Sequence, residues 1–283
     1  MNDLEAIRAR RSVRAYQPDR PLSADERAGL ERAVAACSKG PFGNEVRLVL
    51  VTLSEAERGQ SQALWTYGVI RNATTFIAGA IDPSQPGATF DFGHCLERVI
   101  LEATKLGLGT CWLGGTFRSS AFASRMSLPP SHVIPCVTPV GHGADKRTLV
   151  DSVFRAFAGS DRRKPWSELF FEADGRTSLT TATAGRFAEA LECLRLAPSA
   201  SNKQPWRVFK AGDEAWHFGL SRNTLYDKSI SAVSLQDIDL GIGMSHFELV
   251  CRAQGIAGSL QREPRVQLPG GVEFVASWRS LAT

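Results

Sequence analysis

The stretch FDFGHCLERVILEATKLGLGTCWLGG, residues 90–115, is the part of the sequence that best indicates the fold. Its apolar residues recur at the spacing of one helix face, and they are Leu96, Val99, Ile100, Ala103 and Leu106. The helix is predicted to end at Gly107, because glycine readily adopts the left-handed conformation that closes a helix. The chain is then expected to continue as an extended segment, CWLGG.

A second stretch, DIDLGIGMSHFELVCRAQGIAGS at residues 237–259, aligns with the first without a gap. The alignment places Asp239 on Asp91, Gly241 on Gly93 and Gly255 on Gly107. Identities are few, but a helix, a polar turn and a strand precede each stretch, at residues 25–51 and 185–210. We therefore predict an ancient duplication, with two related halves that fold against each other like the subunits of a two-fold dimer.

Further elements precede the first stretch. A short helix is predicted from about Leu4 to the segment RRSVRAY, where polar residues take over. A stronger helix follows Ser23, because Glu26 three residues later completes a capping box. The segments VRLVLVTL and TTFIAGAID are predicted strands.

The composition is typical of a soluble globular protein, with 283 residues, of which 43% are hydrophobic and 22% charged. The formal net charge of +4 is mild, whereas nucleic-acid binding usually requires a clustered basic face, so no nucleic-acid partner is predicted. No apolar run is long enough for a membrane span, and the N-terminus resembles no secretory signal. The six cysteines form no Cys-x-x-Cys pair, which favours reduced thiols. We therefore predict a cytoplasmic protein with no membrane partner.

Several common catalytic and metal-binding motifs are missing from the sequence. It has no Gly-x-Ser-x-Gly and no Gly-x-x-x-x-Gly-Lys-Ser/Thr motif. The five histidines form no His-x-x-x-His cluster, so each is interpreted as a surface or core residue and no metal site is predicted. Cys111 beside Trp112 is a candidate reactive thiol, but a buried thiol on a strand is the simpler interpretation.

The stretch RRSVR carries three guanidinium groups and a hydroxyl on Arg10, Arg11, Ser12 and Arg14. Guanidinium groups match phosphate oxygens with paired hydrogen bonds, so several of them converging would bind a dianion firmly. Taken alone, the stretch is weak evidence, because a solvated basic helix end is the simpler explanation.

The stretch PSASNKQPW, residues 198–206, places hydrogen-bonding side chains on a loop between two prolines. Such a restricted polar loop suits the binding of a heteroaromatic ligand. The alternative is that its Ser and Asn side chains only satisfy the backbone of the turn itself.

Together with LGLGTCWLGG, these two stretches resemble motifs of the nitroreductase family of FMN-dependent oxidoreductases. The family patterns R-R-S-x-R, A-P-S-x-x-N-x-Q-P-W and L-G-L-G-T-C-W-x-G all occur here, at residues 10–14, 197–206 and 106–114. The resemblance covers nearly the whole sequence, most firmly residues 8–171 and 184–265. It implies an α+β, nitroreductase-like fold with an antiparallel-rich sheet flanked by helices, and two related halves that form an intramolecular pseudo-dimer.

An ordinary member of this family is a homodimer with two FMN sites at its interface, each built from both subunits. By this resemblance, the residues expected to hold the phosphate and ribityl groups are Arg10, Arg11, Ser12, Arg14, Arg163 and Lys164, with Arg14 reaching the pyrimidine edge of the ring. The residues that match the loop lent by the other subunit are Pro198, Ser199, Ser201, Asn202 and Gln204. The segment whose backbone amides face the flavin, including N5, corresponds to Leu113, Gly114 and Gly115.

Each half keeps only one side of such a site. The first half has ACSKGPFGNEVRL where the second has APSASNKQPWRV. The second half also has no counterpart of RRSVR and none of the basic tail DRRKPWSELFF, residues 161–171. We therefore predict one complete FMN site and one degenerate site per chain. The halves are expected at residues 1–165 and 184–283, with residues 166–183 as a connector, and they pack as one unit. Because fusion removes the need to dimerise, a monomer is expected.

The resemblance implies an enzyme in which NADH or NADPH passes a hydride to N5 of FMN, and a small-molecule electron acceptor such as a nitroaromatic or a quinone then receives it. The cofactor supplies this chemistry, so no catalytic side chain is assigned. The alternative is a flavin-binding protein that stores FMN or senses redox state without significant turnover. Oxidation of NADH and NADPH with such acceptors discriminates between the two hypotheses.

Overall fold

The computed structural model describes residues 1–55, 57, 70–115, 117–144, 162–223, 233–263 and 266–281. Its helices are α1 (Asp3–Ala9), α2 (Ala24–Ala36), α3 (Ala88–Lys105), α4 (Ser119–Met126), α5 (Trp166–Leu169), α6 (Thr181–Ala184), α7 (Ala188–Leu196) and α8 (Leu235–Ala253). Its strands are β1 (Arg47–Thr52), β2 (Thr75–Ala80), β3 (Gly109–Thr110), β4 (Leu113–Gly114), β5 (Cys136–Gly141), β6 (Phe170–Phe171), β7 (Trp206–Gly212), β8 (Ala215–Leu220), β9 (Gly258–Gln261) and β10 (Glu273–Ser280). Short 3₁₀ turns lie at Gly185–Phe187, Ala200–Asn202 and Pro269–Gly271. The structure is therefore of the predicted α+β class.

The helix ends follow the signals in the sequence. Ser23 caps α2, and its amide donates to the Glu26 carboxylate at 2.7 Å, which confirms the predicted capping box. Helix α3 ends at Lys105, and Gly107 has a φ of 75°, a conformation that a glycine adopts without strain. Local sequence thus decides where α2 begins and where α3 ends.

The strands form two five-stranded sheets. The first has the order β1-β2-β5-β3, with β4 also paired to β5, and all its pairs are antiparallel. The second has the order β6-β7-β8-β10-β9 and is antiparallel except for the parallel pair β6–β7. Strand β6 lies within the expected connector of residues 166–183, so this segment is built into the second sheet.

The two long helices, α3 and α8, cross at a glycine in each. A Cβ atom on Gly93 would lie 2.2 Å from the Ile238 carbonyl oxygen, and one on Gly241 would lie 2.2 Å from the Phe90 carbonyl oxygen. The two contacts correspond to each other under the alignment that places Gly241 on Gly93. Because any side chain there would collide with backbone, glycine is required on both helices.

One continuous hydrophobic core joins the parts of the chain on either side of the connector. Buried residues of α3, such as Phe92 and Leu96, belong to the same cluster as Phe247 of α8 and Trp278 of β10. All six cysteines are buried and free. Cys111, expected on a strand, is buried between β3 and β4. Among the described helices, none is long and apolar enough to cross a membrane.

Candidate functional site

The loop of residues 198–204, between α7 and β7, has an unusual backbone. Ser201, Asn202 and Gln204 have φ values of 48°, 54° and 49°. Within the described ranges, only five non-glycine residues have positive φ, so most of them lie in this loop. Such a conformation costs about 1–3 kcal/mol per residue, and it is typically retained where function requires it. The positive φ values of its backbone therefore already make this loop a candidate functional site.

The basic tail of residues 162–164 is bonded to this loop. Arg163 Nη1 donates to Asn202 Oδ1 at 3.0 Å, and Asn202 Nδ2 donates to the Arg162 carbonyl at 2.7 Å. The Lys164 amide donates to Gln204 Oε1 at 2.8 Å. Arg163, Lys164, Asn202 and Gln204, four of the residues predicted to bind a cofactor, are thus in direct contact.

The remaining residues of the loop differ in exposure. Ser199 Oγ accepts from the Gln204 amide at 2.9 Å, which braces the turn from within. Pro198 is partly buried, whereas Ser201 is exposed. The loop therefore has an internally bonded base and an exposed tip.

The stretch of residues 10–14 follows α1, and its two first arginines have different environments. Arg10 is buried, with 9% of its surface exposed, and among the described residues its Nη1 atom has no hydrogen-bond partner. Arg11 is exposed, and its Nη1 donates to the carbonyls of Arg8 and Arg10 at 2.7 and 2.8 Å. Arg11 thus closes the end of α1, while its predicted role at a phosphate remains a prediction.

The other members of this stretch run beside the first sheet. Ser12 forms a parallel bridge with Thr110 of β3, and the Arg14 carbonyl accepts from the Arg71 amide at 2.7 Å. Both side chains are partly buried. The backbone of residues 12–14 is therefore held in an extended form against the sheet.

The predicted amide segment, Leu113 to Gly115, lies on the margin of the first sheet. Strand β4 pairs with β5, and with no other strand in the described part of the chain. Gly115 is exposed and has a φ of 77°. An edge strand that ends in glycine lets a planar ligand approach its backbone amides closely.

The first turns of α8 lie next to both this segment and the loop of residues 198–204. A Cβ atom on Gly114 would lie 3.0 Å from Leu235 Cδ2. One turn further along α8, Asp239 Oδ1 accepts from the Ala200 amide at 2.8 Å. Helix α8 therefore contacts two of the three predicted parts of the site, which are residues 10–14, residues 113–115 and the loop of residues 198–204.

A buried polar cluster links the third part, residues 10–14, to helices α3 and α8. Glu97 Oε1 of α3 lies 2.9 Å from His246 Nε2 of α8, and both side chains are 0% exposed. Arg10 Nε lies 3.8 Å from Glu97 Oε1, and Trp112 Nε1 donates to Glu97 Oε2 at 2.7 Å. His246 Nδ1 lies 2.9 Å from the carbonyl of Cys193 in α7, the helix that leads into the loop of residues 198–204.

The sequence pattern does not predict this cluster, because it indicates only a surface or core position for His246. The available signal was the presence of Glu97 and His246 inside two long apolar helices, where an ionisable side chain needs a partner. The partnership itself was not visible, since 149 residues separate the two.

The loop of residues 39–44 has the same attachment as the loop of residues 198–204 but a different content. The Asp91 carboxylate accepts from the amides of Phe42 and Asn44 at 2.9 and 3.0 Å, as Asp239 does from Ala200. The Phe42 ring lies 5.9 Å from the Arg262 guanidinium, within the range of a cation–π contact. The loop of residues 39–44 therefore carries an aromatic side chain in contact with a guanidinium group, whereas the loop of residues 198–204 carries Ser201, Asn202 and Gln204.

The residues of the candidate site fit an anionic heteroaromatic cofactor. A buried guanidinium nitrogen without a partner is costly, and a phosphate oxygen would satisfy it. Burial lowers the pKa of Lys164, and neighbouring Arg207 lowers it further, which indicates positive charge that an anion would relieve. In the described ranges, no cluster of His, Cys, Asp and Glu suits a metal ion.

Comparisons with known proteins agree with this chemistry. A family model described as "Putative TM nitroreductase" matches residues 2–251. A curated protein of Archaeoglobus fulgidus, named "Putative NADH dehydrogenase/NAD(P)H nitroreductase", is 27% identical over 175 residues, which cover 58% of this chain and 98% of that protein.

Two solved structures are also similar to this chain. The crystal structure of a "putative nitroreductase" from Thermotoga maritima matches with a TM-score of 0.60 and 18% identity, over 99% of this chain and 93% of that one, which shows a shared fold. A nitroreductase of Bacteroides fragilis with bound FMN matches with a TM-score of 0.41 and 25% identity, over 53% of this chain and 92% of that one. Because the family model spans most of the sequence, the chain belongs to the nitroreductase family of oxidoreductases.

Proposed function

We propose that this protein is an FMN-dependent oxidoreductase that uses NADH or NADPH to reduce a small acceptor such as a nitroaromatic or a quinone. The observation that carries the proposal is the buried Arg10 guanidinium, whose Nη1 atom has no partner among the described residues. Family membership and the name of the Archaeoglobus fulgidus relative support the same chemistry. FMN, when bound, supplies a ring that accepts a hydride at N5 and passes it on.

The chain's own residues bind and orient the cofactor in this proposal. Arg10, Ser12, Arg14, Arg163 and Lys164 would hold its phosphate and ribityl groups. The loop of residues 198–204 would contact the ring and the ribityl chain, and the amides of residues 113–115 would donate to the ring. Such fixed donors stabilise negative charge on a reduced ring without any side-chain acid or base.

We further propose one FMN site per chain, at the contact between two halves that form a pseudo-dimer. The corresponding contacts at Gly93 and Gly241 support two related halves. The content of the loop of residues 39–44 supports the loss of the second site, because its Phe42 contacts Arg262, whereas the loop of residues 198–204 carries polar side chains.

The visible spectrum of the purified protein, followed by anaerobic reduction, tests this function. We expect an oxidised flavin spectrum, release of one FMN per chain on denaturation, and bleaching by NADH or NADPH that a nitroaromatic or quinone reverses. Bound FMN that neither nucleotide reduces would instead support storage or redox sensing. Two tightly bound FMN per chain would refute the single-site proposal.

A further inference from the structure

The Glu97–His246 pair is buried beside the proposed phosphate site, and the reaction itself does not require it. Both side chains are fully buried, and Arg10 Nε lies 3.8 Å from the same Glu97 oxygen that His246 contacts. An ionised carboxylate buried in this position would neutralise the positive charge of Arg10, unless a proton compensates the negative charge of the carboxylate.

The hydrogen bonds of His246 show where its protons lie. Its Nδ1 atom faces the Cys193 carbonyl at 2.9 Å, and a carbonyl oxygen can only accept, so Nδ1 carries a proton. Its Nε2 atom faces Glu97 Oε1 at 2.9 Å, so a second proton lies between these two atoms, on one or the other. With either arrangement, the Glu97–His246 pair has no net charge.

We propose that His246 is a positioning residue for FMN, and that its proton keeps Glu97 from neutralising Arg10. The compensated pair leaves the full charge of the Arg10 guanidinium for the phosphate of the cofactor. Glu97 also fixes Trp112, which directly precedes the segment of residues 113–115, through the bond of 2.7 Å to its indole nitrogen. This inference rests on the proposed FMN site.

Glutamine substitutions separate the charge of the pair from its packing. In His246→Gln, the new amide still donates to Glu97, but the pair carries a negative charge. In Glu97→Gln, the amide oxygen accepts from Trp112 and the amide nitrogen donates to Nε2 of a neutral His246, so the pair stays uncharged. The double variant is uncharged again, although it lacks the bond to the Cys193 carbonyl.

The dissociation constants of FMN and riboflavin, measured by quenching of flavin fluorescence with apoprotein, test the inference. We expect His246→Gln to raise the constant for FMN about tenfold or more and to leave that for riboflavin, which has no phosphate, unchanged. Glu97→Gln is expected to bind FMN like the wild type, and the double variant is expected to recover most of the affinity lost in His246→Gln.

His94→Gln is the matched control, because His94 is also buried and bonded to a glutamate, with Nε2 2.7 Å from Glu248 Oε2. Its affinity for FMN should not change. Equal FMN affinity in His246→Gln and the wild type, or a double variant as weak as His246→Gln, would overturn the inference. A wild type that binds riboflavin as tightly as FMN would overturn the proposed phosphate site itself, and the inference with it.

A measurement on the wild type covers the case in which His246→Gln does not fold. Nitrogen-15 NMR of the His246 imidazole should show a proton on Nδ1. A ring protonated on Nε2 alone would leave the pair negatively charged and would contradict the inference.

Discussion

Backbone strain at single residues is concentrated in the loop of residues 198–204. Asn202 has a φ of 54°, and its side chain bonds both Arg163 and the Arg162 carbonyl. The strain is therefore stabilised by the same side-chain contacts that bring the basic tail to the loop. A substitution that keeps the backbone but removes the side chain separates these two roles.

Asn202→Gly should weaken FMN binding about tenfold or more, because it removes the hydrogen bond that Arg163 Nη1 donates to Asn202 Oδ1 and also removes a proposed cofactor contact. Glycine adopts positive φ without strain, so the free energy of unfolding should fall little. Fluorescence titration and urea unfolding measure the two effects. Ser127→Gly is the control, because Ser127 is exposed and also has a positive φ, and it should leave FMN binding unchanged. Unaltered FMN binding in Asn202→Gly would show that this side chain is not part of the site.

At the scale of secondary-structure elements, the crossing of α3 and α8 depends on two glycines. Gly93→Ala and Gly241→Ala should each lower the free energy of unfolding by about 2 kcal/mol or more, because each new Cβ would collide with a carbonyl oxygen 2.2 Å away. Gly243→Ala on the same helix is the control, since its Cβ would meet only the Leu194 side chain, at 3.3 Å. Urea unfolding measures all three. A loss in Gly243→Ala as large as in the other two would contradict this account.

The same two helices are also joined by Glu248 and His94. Burial raises the pKa of Glu248, but the hydrogen bond from His94 and the charges of His94, Arg98 and Arg252 outweigh it and leave the pKa below 4.5. A carboxyl with a lowered pKa in the folded protein adds stability above its ordinary pKa, and this stability is lost as pH falls through the lowered value.

Glu248→Gln should therefore lower the free energy of unfolding by about 2 kcal/mol near neutral pH. The difference from the wild type should shrink as the pH falls below the ordinary carboxyl pKa, because the wild-type Glu248 then becomes protonated as well. Urea unfolding of both proteins across this pH range measures the trend. A difference that does not depend on pH would show that the charge of Glu248 contributes nothing.

Local signals in the sequence predicted the elements but not their partners. The capping box at Ser23, the end of α3 near Gly107 and the strands β1 and β2 depend on residues close together in the chain, so they could be predicted. The pairing of β6 with β7 and the contact between Glu97 and His246 depend on the tertiary fold, which no local pattern encodes. For the candidate site, sequence motifs indicated residues 10–14, 113–115 and 198–204. The contacts of these three segments with α3 and α8 became visible only in the structure.

At the scale of the whole molecule, the cysteines report on the integrity of the common core. Burial raises the pKa of Cys193 to about 12, and it also raises the pKa values of Cys37, Cys95, Cys136 and Cys251. Since the thiolate is the reactive form, these thiols should react very slowly with a chromogenic disulfide reagent in the native protein. All six should react after unfolding in urea. Rapid reaction of any of these five in the native state would contradict a closed core.

The bonds between the basic tail and the loop of residues 198–204, and the link from Arg10 through Glu97 and His246 to α7, all lie within one polypeptide. Dilution dissociates separate subunits by mass action, and it would therefore break a site that two subunits share. It cannot separate residues that belong to one continuous chain. For the arrangement that we propose, with one complete FMN site in each chain, dilution should therefore release FMN according to its own dissociation constant alone.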